Sequence, residues 1–141
     1  MKEVIPVVTT RASQIYWHDA DQSILVHHVN GAWDWPDARF SIGMVNDILR
    51  EHDRDVYTIH HFEGEGARLP RTNSLLTVRH LVAPDPPNEK VVIFLNAPQV
   101  LRRFIGVAAS VYRLAQIEPK YVYVNSMIEA LHVIEQRRSR V

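Results

Sequence analysis

The chain has 141 residues, 46% of them hydrophobic and 23% charged, with sixteen basic side chains balancing sixteen acidic ones. That length and balance suit one domain with a real core, and they exclude chain-wide disorder and the broad positive field that non-specific nucleic-acid binding needs. The lack of cysteine excludes disulfides and thiolate chemistry. No apolar run approaches the ~20 residues of a membrane helix, so a soluble, cytoplasmic protein is expected.

In chain order, residues 1–13 read as an N-terminal extension. Their apolar stretch, Val4 to Val8, is interrupted by Pro6 and is too short for a signal-peptide core. Gln14 to Asp19 and Ser23 to Val29 are aromatic and β-branched runs around the turn residues Asp19-Ala20-Asp21-Gln22, which predicts a hairpin. Trp33-Asp34-Trp35-Pro36-Asp37 then carries helix-start signals. Asp34 can cap, Pro36 suits an early helical position, and Asp37 favours the positive end of the helix dipole. Phe40, Met44, Val45, Ile48 and Leu49 recur at helical spacing to about Glu51, with Trp33 and Trp35 as core anchors where the helix starts.

Val56 to Phe62 predicts a strand and Glu63 to Gly66 a loop. Thr72 to Val82 reads as a short helix, stopped by Pro84, Pro86 and Pro87. The unbroken apolar run Val91 to Leu95 marks a strand buried on both faces. Asn96, Pro98 and Gln99 open a helix running to about Ile117, and Tyr121 to Val124 is the last strand. Ser126 and Glu129 stand at capping-box spacing before a final helix with Ile128, Leu131 and Ile134 as its buried stripe. Arg137 and Arg138 suit its negative end. The order is ββαβαβαβα. It predicts a single α/β domain over residues 1–141, with right-handed crossovers and a mostly parallel sheet carrying one antiparallel hairpin strand.

This order, with Val29-Asn30-Gly31-Ala32-Trp33-Asp34 ending a strand and Asn125-Ser126-Met127-Ile128-Glu129-Ala130-Leu131 opening the last helix, resembles the STAS family, the sulfate-transporter and anti-sigma-factor-antagonist domain. The resemblance covers about residues 14 to 136 and implies a STAS-like sheet with helices mainly on one face. It also implies a non-catalytic regulatory module of bacterial signalling that acts through a protein partner. In the sigma-factor regulators of that family, a partner kinase phosphorylates a serine or threonine within Asp-Ser-Ser/Thr-Gly that starts the second helix after the third strand. The equivalent stretch here, Glu63 to Ser74, is longer and lacks the motif, leaving Thr72 and Ser74 as candidate acceptors beside Arg68 and Arg71.

Three further groupings stand out. The adjacent pairs His27-His28 and His60-His61 lie on strands that this topology makes neighbours, so one histidine of each pair can meet on each face. Two imidazoles fall short of the three or four ligands zinc takes, and Glu63 is the nearest carboxylate, so no metal or other cofactor is expected. Gly64 and Gly66 with Arg68 and Arg71, joined by Asn96 and Gln99 and by Trp33 and Asn125, would rim the carboxyl ends of the strands. That is where an open parallel sheet binds an anion or small ligand. Tyr57, His61, Tyr121 and Tyr123 are expected to line an open sheet face as an interaction surface, and Gly106, Ala109 and Ser110 would permit a homodimer. No nucleophile elbow or acid–base pair points to an enzyme. The expectation is a protein-binding module, with a small-ligand or lipid-binding protein as the alternative.

Overall fold

The protein is described by a computed structural model over residues 7–68, 86–115 and 120–139. Six strands form one mixed sheet in sequential order: β1 (Val8–Thr9), β2 (Ser13–Trp17), β3 (Ile24–Val29), β4 (Val56–Phe62), β5 (Glu89–Leu95) and β6 (Tyr121–Val124). β1, β2 and β3 pair antiparallel, and β3 to β6 pair parallel. Three α-helices accompany them among the described residues: α1 (Trp35–Glu51), α2 (Gln99–Leu114) and α3 (Met127–Arg138). The α/β class and the mixed sheet agree with the sequence. The presumed extension does not stay outside, because Val8 and Thr9 add an edge strand against Ile15 and Gln14. The helix expected over 72–82 lies outside the described residues.

Strand alternation sorts the core onto two faces. Leu25, Val29, Val56, Phe62, Val92 and Phe94 point to one face, where they meet Trp35, Val45 and Leu49 of α1 and Leu101 of α2. Ile24, Val26, Tyr57, Ile59, Ile93 and Val124 point to the other, beneath Ala130 and Ile134 of α3. Two described helices thus pack on one face while α3 covers part of the opposite one. This corrects the expected interaction surface. Tyr121 and Tyr123 pack with Phe94 on the α1 side, whereas Tyr57 packs under α3. The register sets them apart, since Tyr121 pairs with Val92 and Tyr57 with Val91, one residue out of phase.

α1 starts where its sequence says it should. Asp34 accepts the Asp37 amide at 2.8 Å, the Asp37 carboxylate accepts the Asp34 amide at 3.0 Å, and Pro36 follows the cap. Trp33 and Trp35 are buried edge to face, with ring centroids 5.1 Å apart. α3 opens on Ser126, whose hydroxyl accepts the Glu129 amide at 3.1 Å. Two stripe residues depart from expectation: Phe40 is 60% exposed and Ile128 is 82% exposed. Each lies at the margin of its stripe, and the burial falls on Ser41 and Val45 in α1 and on Ala130 and Ile134 in α3.

Candidate functional site

The parallel pairing of β3 with β4 puts His27 opposite His60 and His28 opposite His61. Because successive side chains alternate, the four rings separate into one pair on each face of the sheet.

On the α1 face both rings are buried. His27 Nδ1 lies 3.0 Å from His60 Nδ1, and His27 Nε2 lies 3.3 Å from the Ser13 hydroxyl. Ser13 Oγ continues to Thr10 Oγ1 at 2.7 Å. Two imidazolium rings would both donate, so this geometry requires an acceptor nitrogen and at least one neutral ring. Burial pushes the His60 imidazole down to about 4. Burial first, then repulsion from His60 and His28, holds His27 well below its ordinary value. The resulting polar chain, His60–His27–Ser13–Thr10, floors a narrow apolar cleft. The walls are Val29 and Phe62 at the ends of β3 and β4, Phe94 near the end of β5, and Trp33 and Leu101. Ala38, Ser41 and Ile42 of α1 close one side. Asp37 stands at the rim, held below the ordinary carboxylate range chiefly by its hydrogen bond with Arg11.

On the opposite face the rings of His28 and His61 stack, with centroids 4.6 Å apart and planes 20° from parallel. Glu63, one residue beyond β4, turns its carboxylate toward both: Oε1 is 3.6 Å from His28 Nε2 and Oε2 is 3.7 Å from His61 Nε2. Those separations exceed hydrogen-bond length, and His28 Nε2 is buried without a hydrogen bond. Burial and the neighbouring His28 lower the His61 pKa, against an opposing pull from Glu63. Burial, with the charge of Glu63, raises that of Tyr16. Glu63, the carboxylate nearest the histidines in the sequence, thus stands beside both rings as a third potential donor.

The glycine loop serves packing. Gly64–Ala67 is a 3₁₀ turn, and Gly66 lies so close to β3 that a Cβ there would fall 1.9 Å from the Val29 carbonyl oxygen. Its carbonyl accepts the Trp33 indole N–H at 2.8 Å, and its amide donates to Glu63 O at 2.9 Å. The Arg68 amide donates to Glu65 O. Those two amides are engaged inside the turn, so neither is free to contribute to the anion cradle expected of Gly64, Gly66 and Arg68. Asn96 is likewise structural: at φ 58° it donates from its side chain to Phe62 O and from its amide to Val124 O. Gln99 lies apart, in a shallow depression with Arg102, Arg103 and Tyr123. Arg71, Thr72 and Ser74 fall outside the described residues.

Thr10, Ser13, Ala38, Ser41 and Ile42 were not singled out by sequence reasoning. Thr10 and Ser13 sit in the expected N-terminal extension, and nothing local signals that Ser13 opens β2 and meets His27. The chain matches no family model, and no curated protein or solved structure matches it either.

Proposed function

We propose that this domain is a non-catalytic binding module whose ligand is a small, largely apolar molecule with one hydrogen-bonding group, held in the cleft beside α1. The observation that carries the reading is the buried His60–His27–Ser13–Thr10 chain at the floor of an otherwise apolar cleft. Small-molecule sites combine mainly apolar walls with a few fixed polar groups that set orientation. His60 engages His27 through Nδ1, so Nε2 is the ring atom it can offer a ligand. The place fits as well, because open α/β sheets bind ligands at the carboxyl ends of their strands, and Val29 and Phe62 are such ends.

The reading keeps the regulatory role implied by the resemblance to STAS domains and makes ligand occupancy its input. A module working only through protein contacts would be favoured by a continuous aromatic face. Tyr57 and Tyr121 on opposite faces argue against that. The test uses indole, 2-naphthol and benzamide, each an apolar ring with one hydrogen-bonding group, followed by NMR shifts of the Trp33 indole and the His27 and His60 rings. Shifts confined to those groups, and lost when Ala38→Trp fills the cleft from α1, are the expected result. If all three compounds leave the rings unmoved in the parent protein, or Ala38→Trp responds as the parent does, the cleft is not the site.

A further inference from the structure

We infer that His28, His61 and Glu63 form a binding site for a divalent first-row transition ion of the zinc class, on the face of the sheet opposite the cleft. The three ligand atoms all lie within 4.8 Å of one another. Two ligands each about 2.1 Å from a tetrahedral ion are separated by about 3.4 Å, and the two imidazole-to-carboxylate distances, 3.6 and 3.7 Å, are close to that value. The Glu63 side chain is 61% exposed and so has room to adjust toward an ion.

Three observations make this more than a chance meeting of polar groups. First, the rings are placed by backbone register: His28 and His61 are directly paired on parallel strands, and their planes are nearly aligned with both Nε2 atoms directed at one carboxylate. Second, His28 Nε2 is buried and makes no hydrogen bond, the type of orphaned polar atom that is costly to keep unless something satisfies it. The other histidine pair behaves differently: His27 and His60 approach to 3.0 Å and bond to each other, whereas His28 and His61 stack and both present Nε2 to Glu63. Third, the backbone of Glu63 is fixed. Its amide donates to Val29 O at 3.0 Å and its carbonyl accepts the Gly66 amide, so the close packing of Gly66 on β3 holds the carboxylate over the rings while leaving one side open to solvent.

Two imidazoles and one carboxylate are borderline donors suited to Zn(II), Co(II), Ni(II) and Fe(II), and three protein ligands leave coordination positions for water or a further ligand. Calcium and magnesium, which prefer all-oxygen sets, should bind poorly.

The experiment is calorimetric titration of the chelator-stripped full chain with zinc chloride and, separately, with magnesium chloride, paired with thermal melts in each salt. One zinc per chain, a rise in melting temperature with zinc and no response to magnesium are expected. Cobalt(II) should give the intense visible bands of a low-coordinate ion. His28→Ala, His61→Ala and Glu63→Gln should each weaken zinc binding by at least about tenfold, since losing even an outer-shell partner of a metal site costs that much. His18→Ala, an exposed histidine away from the site, serves as the control for adventitious imidazole binding and should leave affinity unchanged. Glu63 is exposed, so Glu63→Gln keeps the test meaningful should a histidine variant fail to fold. Binding absent in the parent at millimolar zinc, or equal in the parent and Glu63→Gln, would overturn the assignment.

Discussion

Gly66 ties the two faces of the candidate site together through contacts that leave no room for a side chain. A methyl group there would fall 1.9 Å from the Val29 carbonyl oxygen and 2.5 Å from its carbon, and these are backbone atoms of a central strand that cannot swing aside. Gly66→Ala must therefore move the turn, stretching the Trp33 indole bond to Gly66 O and displacing Glu63 from the rings. Overpacking of this kind costs roughly 1–3 kcal/mol, and a buried indole N–H left unpaired adds to it. The expected outcome is a lower urea midpoint together with a red-shifted tryptophan emission; an unchanged midpoint and spectrum would show that the turn is not pinned on β3. Gly43 supplies the contrast. It is exposed within α1 and a Cβ there meets nothing within 4 Å, so Gly43→Ala should stabilise the fold by about 0.5–1 kcal/mol through helix propensity. Equilibrium unfolding of that variant checks the sign.

At the scale of elements, α1 is held at both ends by chemistry of different reach. Its N-terminus is closed locally by the reciprocal Asp34–Asp37 box. Its C-terminus is closed from a distance: Asn88, just before β5, donates its side-chain amide to Leu49 O at 2.8 Å and reaches His52 O and Arg54 O at 3.2 and 3.1 Å. Asn88→Ala removes the donor that satisfies carbonyls in both the last turn of α1 and the chain leading into β4. It should cost roughly 1–2 kcal/mol, with faster amide exchange at residues 50–54 as the local signature; an effect spread evenly over the sheet would contradict this role. The same contrast explains what the sequence made legible. The starts of α1 and α3 depend on residues three apart, and the strands on runs of apolar side chains, so both were read without tertiary information. Pairing of His27 and His28 with His60 and His61 followed from parallel neighbours alone. Glu63 was recognised only as the nearest carboxylate, because its position over the rings depends on how Gly66 packs against Val29. β1 was missed because a two-residue edge strand has no periodicity of its own, and its identity lies in its partner.

For the whole molecule, the buried histidine pair sets how stability responds to acid. In the unfolded chain both rings titrate near the ordinary histidine value of about 6.5. In the folded protein burial pushes His60 down to about 4, and burial with the adjoining rings holds His27 well below its usual value. Above pH ~6.5 neither state binds these protons, and stability is full. As pH falls from there toward about 4, the unfolded chain takes up protons that the folded protein refuses, so stability drops by about 1.4 kcal/mol per pH unit for each such ring. The His60 contribution ends near pH 4 at roughly 3 kcal/mol, and His27 adds a loss in the same direction. His61 shifts in the same direction but is partly solvated and contributes less. Asp19 and Asp37, both held below the ordinary carboxylate value, add their losses only at more acid pH. Urea unfolding between pH 8 and 4 should therefore show a steep decline beginning near 6.5, well before the carboxylates titrate. Replacing both rings at once, His27→Leu with His60→Leu, removes donor and acceptor together and should leave stability at pH 8 little changed while flattening that decline. The same slope in the double variant would mean that the acid response arises elsewhere in the molecule. A shallow slope in the parent would mean that the pair already holds a proton in the folded state.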